Sequence, residues 1–295
     1  MQLGLVTPIV TSHPHNDAPW TEHAGPPEIA RIAVEADRLG YHHLTCSEHV
    51  AIPVQVAPVR GSRYYDPLAT FGYIAAQTTQ IRLVTHVLVL GYHHPLAIAK
   101  RYGTLDRLSN GRLVLGVGVG TLREEFTLLG AEFDERGPRY EDALRALRAA
   151  FGRVQPAYDG THYRFRDLVV DPCGVQEHVP IWLGGRTPRS LRRALALADG
   201  WDPFGLDLDQ LQAMLTRARA TDAWAGRTTP FALVLPIDEL YDPTRPDGRD
   251  GLTRRLEQFR DLGATIVNLR FRHESLEHFV DQLAAVAEHV RPRIE

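Results

Sequence analysis

Leu3-Gly4-Leu5-Val6-Thr7-Pro8-Ile9-Val10-Thr11-Ser12-His13-Pro14-His15 opens on a short apolar run and stops at a polar, proline-broken turn. The run has the length and composition of a buried strand. The turn after it decides between two parallel α/β layouts. A doubly wound nucleotide-binding sheet needs a glycine-rich turn after its first strand, so that the backbone can approach a pyrophosphate. The turn at residues 11–15 contains no glycine. A closed (β/α)8 barrel makes no such demand, and this reading is preferred.

Working outward, the same alternation of strand-like and helix-like runs continues along the chain. Residues 3–9, 42–46, 81–90, 112–119, 180–183, 200–204, 231–236 and 264–271 read as strands. Their near-continuous apolar character suits a parallel sheet buried on both faces. Helical spacing covers 27–39, 67–78, 95–108, 139–151, 188–198, 208–220, 251–262 and 275–290. Several of these begin at proline, which has no N–H to leave unpaired in a first helical turn. Eight units in 295 residues predict one (β/α)8 TIM-barrel domain over 1–295. Two connections are long, residues 11–26 after strand one and 152–179 before strand five, and long loops in compact domains tend to be lids or binding loops.

The chain is 44% hydrophobic and 23% charged, with a formal net charge of −3. A weakly acidic chain with dispersed charges has no electrostatic footprint for nucleic acid. No apolar run approaches the ~20 residues of a membrane span, and the first is too short for a signal peptide. A cytoplasmic location is therefore expected. The two cysteines, Cys46 and Cys173, fit neither a disulfide framework nor a four-ligand zinc site, so both are expected to be reduced.

A barrel carries its chemistry at the C-terminal ends of its strands. Strand two ends Ser47-Glu48-His49, a carboxylate beside an imidazole. His49 there could donate a proton or hydrogen-bond a cofactor ring, with Glu48 tuning it or touching the ligand; a plain surface loop is the alternative. His86 interrupts apolar strand three, which marks either a bulge toward the mouth or a satisfied core histidine. Strand four ends Gly116-Val117-Gly118-Val119-Gly120-Thr121, an alternation that clears one face for a flat ring or for another backbone. Strand five ends Gly184-Gly185-Arg186-Thr187 just before a helix, either a phosphate cradle or a tight turn.

The fourteen histidines raise a metal reading, since His13-Pro14-His15 follows strand one. The rest of such a site is missing: strands five and six end in glycines and Trp201-Asp202-Pro203, and strand eight supplies no aspartate. His42-His43 and His93-His94 are adjacent residues, which a strand points to opposite faces. No metal is expected.

These strand endings, together with Leu39-Gly40-Tyr41, Asp66-Pro67-Leu68, His94-Pro95, Thr104-Leu105-Asp106-Arg107-Leu108-Ser109-Asn110-Gly111-Arg112, Pro180-Ile181-Trp182-Leu183 and Ala198-Asp199-Gly200-Trp201, resemble the bacterial-luciferase-like superfamily. The likeness is strongest to its branch using the deazaflavin coenzyme F-420, and it covers about two-thirds of the chain. It implies a (β/α)8 barrel, a homodimer, and hydride transfer between the coenzyme and a small organic substrate, with an FMN-dependent monooxygenase as the alternative. It implies His49 and Glu48 as catalytic residues. Thr85, His86 and Val87 then form a bulge behind the cofactor ring, which in relatives can contain a non-proline cis peptide. Gly118, Gly120 and Thr121, with Gly184, Gly185, Arg186 and Thr187, would complete the cofactor site. Two departures stand out: Thr121 replaces a glutamate of the sugar-phosphate dehydrogenases of this family, and Pro53 replaces a tryptophan. That specific sugar-phosphate activity is not expected.

Overall fold

A computed structural model describes residues 1–11 and 18–294. The His13/His15 pair considered for metal lies outside the described residues. Eleven strands are present among the described residues: β1 (Gln2–Leu5), β2 (His43–Cys46), β3 (Arg82–Thr85), β4 (Leu88–Val89), β5 (Leu113–Gly118), β6 (Tyr158–Asp159), β7 (Arg164–Phe165), β8 (Ile181–Gly184), β9 (Gly200–Asp202), β10 (Ala232–Pro236) and β11 (Ile266–Leu269). Nine of them form one parallel sheet in the order β3-β2-β1-β11-β10-β9-β8-β5-β4, and a further β3–β5 pairing closes it. β3 and β4 are two halves of one barrel position, broken at His86-Val87 by a cis peptide bond. The sheet is thus the predicted eight-position (β/α)8 barrel.

Two apolar layers follow from the two-residue period of each strand. Leu44, Leu83, Leu115, Ile181, Leu235 and Val267 face outward into the shell of helices. Val84, Val114, Trp182, Val234 and Ile266 fill the barrel interior. Interior glycines answer interior bulk: a Cβ on Gly4 would fall 2.0 Å from the His43 ring, and one on Gly200 would fall 2.8 Å from Trp182.

Helix starts follow local chemistry. Asp66 caps the helix Pro67–Ala75 by accepting from the Ala69 amide at 2.8 Å, and Asp207 and Gln210 form a reciprocal capping box on Leu208–Arg219. One start lies five residues earlier than the sequence reading: Pro246–Asp261 begins at a first-turn proline inside a Pro-Asp-Gly stretch that reads as a turn. The long segment before β8 contains the β6–β7 hairpin. Asp142 pins it, accepting from the Tyr158 hydroxyl at 2.6 Å and the His162 amide at 2.6 Å.

The strand-four glycines serve the neighbouring strand. A Cβ on Gly116 would stand 1.9 Å from the Thr85 carbonyl oxygen, and one on Gly118 2.6 Å from Val87. Thr85 is fully buried, and its hydroxyl donates to the Gly116 carbonyl at 2.7 Å. Overpacking a fixed backbone contact costs about 1–3 kcal/mol. Gly116→Ala is therefore expected to lower unfolding free energy by at least that amount in urea titrations, and an unchanged midpoint would show that β3 is not seated there.

Candidate active site

A cavity of about 730 Å³ opens at the C-terminal ends of the strands and is lined by Glu48, His49, His86, Val87, Gly118, Gly120, Thr121, Gly184, Gly185, Arg186 and Thr187, among others. All but one of the residues proposed from sequence meet there. The exception is Thr85, which is sealed inside the barrel wall and acts on Gly116 instead.

The pairing of the catalytic candidates differs from the expected one. Glu48 does not turn toward His49, because adjacent residues of an extended chain point apart. Its Oε2 accepts from the Val89 amide at 2.7 Å and its Oε1 contacts His93 Nε2 at 2.6 Å. Glu48 thereby fastens the strand beyond the bulge, and Ser47 adds a hydrogen bond to the His86 carbonyl at 2.7 Å.

His49 is held by Glu125, a residue the sequence reading missed. Glu125 Oε2 lies 2.7 Å from His49 Nδ1 and accepts from the Tyr92 hydroxyl at 2.8 Å; Oε1 accepts from the Val50 amide at 2.5 Å. Burial pushes the Glu125 carboxyl up, yet the hydrogen bonds from His49, Tyr92 and Val50 outweigh it and hold the group below the usual glutamate range. Burial and the same contact push the Tyr92 phenol up. Since a carboxylate only accepts, it fixes the ring proton on Nδ1 and leaves Nε2 for a ligand. The ring edge meets Tyr64 with centroids 4.5 Å apart. Thr121, which the resemblance sets against a glutamate of the sugar-phosphate dehydrogenases, receives a hydrogen bond from Arg60 at 3.0 Å. The carboxylate sits four residues further on, carried back by the short helix Arg123–Leu128. So short a helix carries no periodic signal that could have marked it in the sequence.

Gly118 and Gly120 line the cavity, but the space their side chains would need is filled by Val87, Val89 and Phe126. The alternation clears room for protein: backbone, as one of the two readings had it, only at Gly116, and side chains at Gly118 and Gly120. At the end of β8, Gly185 has φ +142, and a Cβ there would fall 2.7 Å from Ser190. Thr187 caps the helix Pro188–Leu197: its Oγ1 accepts from the Ser190 amide, and Ser190 Oγ accepts from the Thr187 amide. Arg60, Arg136, Arg186 and Arg189 also line the cavity.

The His42–His43 pair departs from the strand rule used to separate it. Position 42 precedes the strand, so its ring folds back and the two Nδ1 atoms lie 2.9 Å apart. Among the described residues no group of three or more potential ligands could hold a metal ion, and no helix is long and apolar enough to cross a membrane.

The family model for luciferase-like monooxygenases matches residues 1–292. The chain belongs to that family. It is 26% identical over 261 residues to an F-420-dependent glucose-6-phosphate dehydrogenase of Intrasporangium calvum, covering 85% of this chain and 71% of that protein. Among solved structures it matches the monooxygenase RslO1 of Streptomyces bottropensis over 100% of both chains, with TM-score 0.81 and 24% identity. It also matches the oxygenating constituent of a Baeyer–Villiger monooxygenase from Pseudomonas putida in complex with FMN, over 100% of this chain and 99% of that one, with TM-score 0.73 and 15% identity. Members of this family are oxidoreductases or monooxygenases, and neighbours use F-420 or FMN.

The Glu125 carboxyl carries a pH signature. A carboxylate held below its unfolded pKa contributes stability that is present above the unfolded value and lost as pH falls through the folded one. Wild type should therefore lose more unfolding free energy than Glu125→Gln between about pH 7 and about pH 3. Parallel pH profiles in chemical denaturation would show that the carboxylate is not held in this way.

Proposed function

We propose that the protein is a coenzyme F-420-dependent oxidoreductase in which His49 moves a proton while hydride passes between the coenzyme and a small organic substrate. The observation that carries this reading is the couple of His49, which lines the cavity, with the buried Glu125 behind it, because it gives the imidazole a carboxylate partner that Thr121 does not provide. The named relative with F-420-dependent activity supports the choice of coenzyme.

The cavity suits a planar ring with an anionic tail. Its volume lies in the range of small-molecule sites, about 300–1,000 Å³. At the ring end stand Val87, His86 and Leu183; at the tail end stand Gly184, Gly185, Arg186 and Thr187, with Arg189 beside them. A bound deazaflavin supplies a carbon centre that carries hydride. Everything else falls to the protein. Glu125 keeps the Nδ1 proton in place and stabilises the charge that His49 gains when Nε2 accepts a proton from the substrate. In the reverse direction Nε2 returns that proton. Tyr64 and Tyr92 fix the position of the couple through ring contact and hydrogen bonding. The same reading takes a homodimer as the working unit.

Two measurements test it. His49→Ala should lower turnover by about 10²- to 10⁴-fold while coenzyme affinity stays within a few fold; full turnover in that variant removes His49 as the proton carrier. Substrate turnover should proceed without oxygen, stoichiometrically with coenzyme F-420 and with no hydrogen peroxide. Product formed only with reduced FMN and oxygen would establish monooxygenation instead.

A further inference from the structure

A second imidazole faces the same cavity, and a line of buried polar groups stands behind it. His86 Nε2 lies 3.1 Å from Asp202 Oδ2. Asp202 is only 3% exposed, and this oxygen has no hydrogen bond, so the imidazole is close to it without being aligned. The other oxygen, Oδ1, accepts from Asn268 Nδ2 at 3.5 Å. Asn268 Oδ1 lies 2.8 Å from His43 Nε2, and His43 Nδ1 lies 2.9 Å from His42 Nδ1. Asn268 and His43 are fully buried.

The proton positions in this line follow by elimination. Asp202 only accepts, so Asn268 must present its NH2 there and its carbonyl to His43. His43 must then donate from Nε2. Burial holds His43 well below the usual imidazole range, with the neighbouring His42 adding to it, so the ring carries one proton and its Nδ1 accepts. His42 therefore donates from Nδ1. Every hydrogen in the line points toward Asp202.

We propose that Asp202 is a positioning residue for His86, fixing its ring with the proton on Nε2 and leaving Nδ1 as an acceptor for an N–H or O–H of the bound cofactor. The line from His42 to Asn268 supplies the donors that hold Asp202 in place. The cofactor-facing half rests on the proposed function; the tautomer does not.

The test uses full-length protein labelled with ¹⁵N-histidine, with the His86 signals identified by their loss in His86→Gln. Wild type should show a neutral ring protonated on Nε2 alone. In Asp202→Asn the side-chain oxygen must go on accepting from Asn268, so its NH2 faces His86 and the ring proton moves to Nδ1. The inversion parallels the tautomer error caused by amidating the aspartate of a catalytic triad. Whichever of coenzyme F-420 and FMN binds wild type should bind Asp202→Asn at least tenfold more weakly. A wild-type ring protonated on Nδ1 alone or on both nitrogens, an unshifted tautomer in Asp202→Asn, or unchanged affinity overturns the inference. If neither cofactor binds wild type, the proposed function fails while the spectrum still decides the tautomer. If Asp202→Asn does not fold, the wild-type spectrum decides alone.

Discussion

The mouth of this barrel depends on the contact between the Thr85 carbonyl and the bare α-carbon of Gly116. A methyl group there would stand 1.9 Å from that oxygen. Because β5 yields this space, the third barrel position can sink inward, break its ladder at residues 86–87 and resume as β4 against Val117 and Gly118. The break turns His86 toward the cavity and sets Val87 against Gly118 and Gly184. It also brings the Val89 amide to Glu48, which adds a second anchor on the far side. A continuous strand would have kept all of these groups in the wall.

Among the described residues, three buried carboxylates surround the cavity, and each faces a histidine: Glu125 with His49, Glu48 with His93, and Asp202 with His86. A buried charge is costly unless it is paired and hydrogen-bonded. An imidazole can meet that need as a neutral donor and can also take up a proton, which arginine or lysine cannot do so readily near neutral pH. The three couples differ in what else holds the carboxylate. Glu125 and Glu48 each accept backbone amides, which locks them to the scaffold. Asp202 is held from behind by side chains alone, and one of its oxygens lacks a hydrogen bond. It is the couple with the most latitude to respond to a ligand.

The strands were legible in the sequence because a parallel barrel buries both faces, and its strands appear as apolar runs that stop where the chain reaches the mouth. The strand endings were legible for the same reason: polar residues after such a run have few other places to go. Glu125 was hidden by its element, a six-residue helix that no periodicity argument resolves. The purpose of the glycines was hidden by a different cause. A missing side chain says that something approaches, but whether that is a ring, a carbonyl or a valine depends on a strand thirty residues away. The His86–Asp202 couple was hidden for that reason too. Asp202 read as a polar residue at a strand end, and only barrel closure brings it to position 86.

If an anionic tail binds at the turn after β8, as the proposed function has it, the donors available there divide unevenly. A helix N-terminus offers up to four amides to an anion. Here the capping box has already taken those of Thr187 and Ser190, and Pro188 has none to offer. Backbone donation to an anion is therefore confined to a narrower set of amides than the Gly-Gly-Arg-Thr stretch implies. Charge must come from side chains, and of the nearby arginines Arg193 is engaged by Glu141 at 2.8 Å. Arg186 and Arg189 are the cations of this turn that line the cavity, on a chain whose net charge is −3. A local cationic rim on an acidic protein concentrates anionic ligands at one opening while the remaining surface repels them. Under the proposed function, recognition of an anionic tail at this turn rests more on guanidinium groups than on the helix end, and exposed charge pairs of that kind weaken with salt.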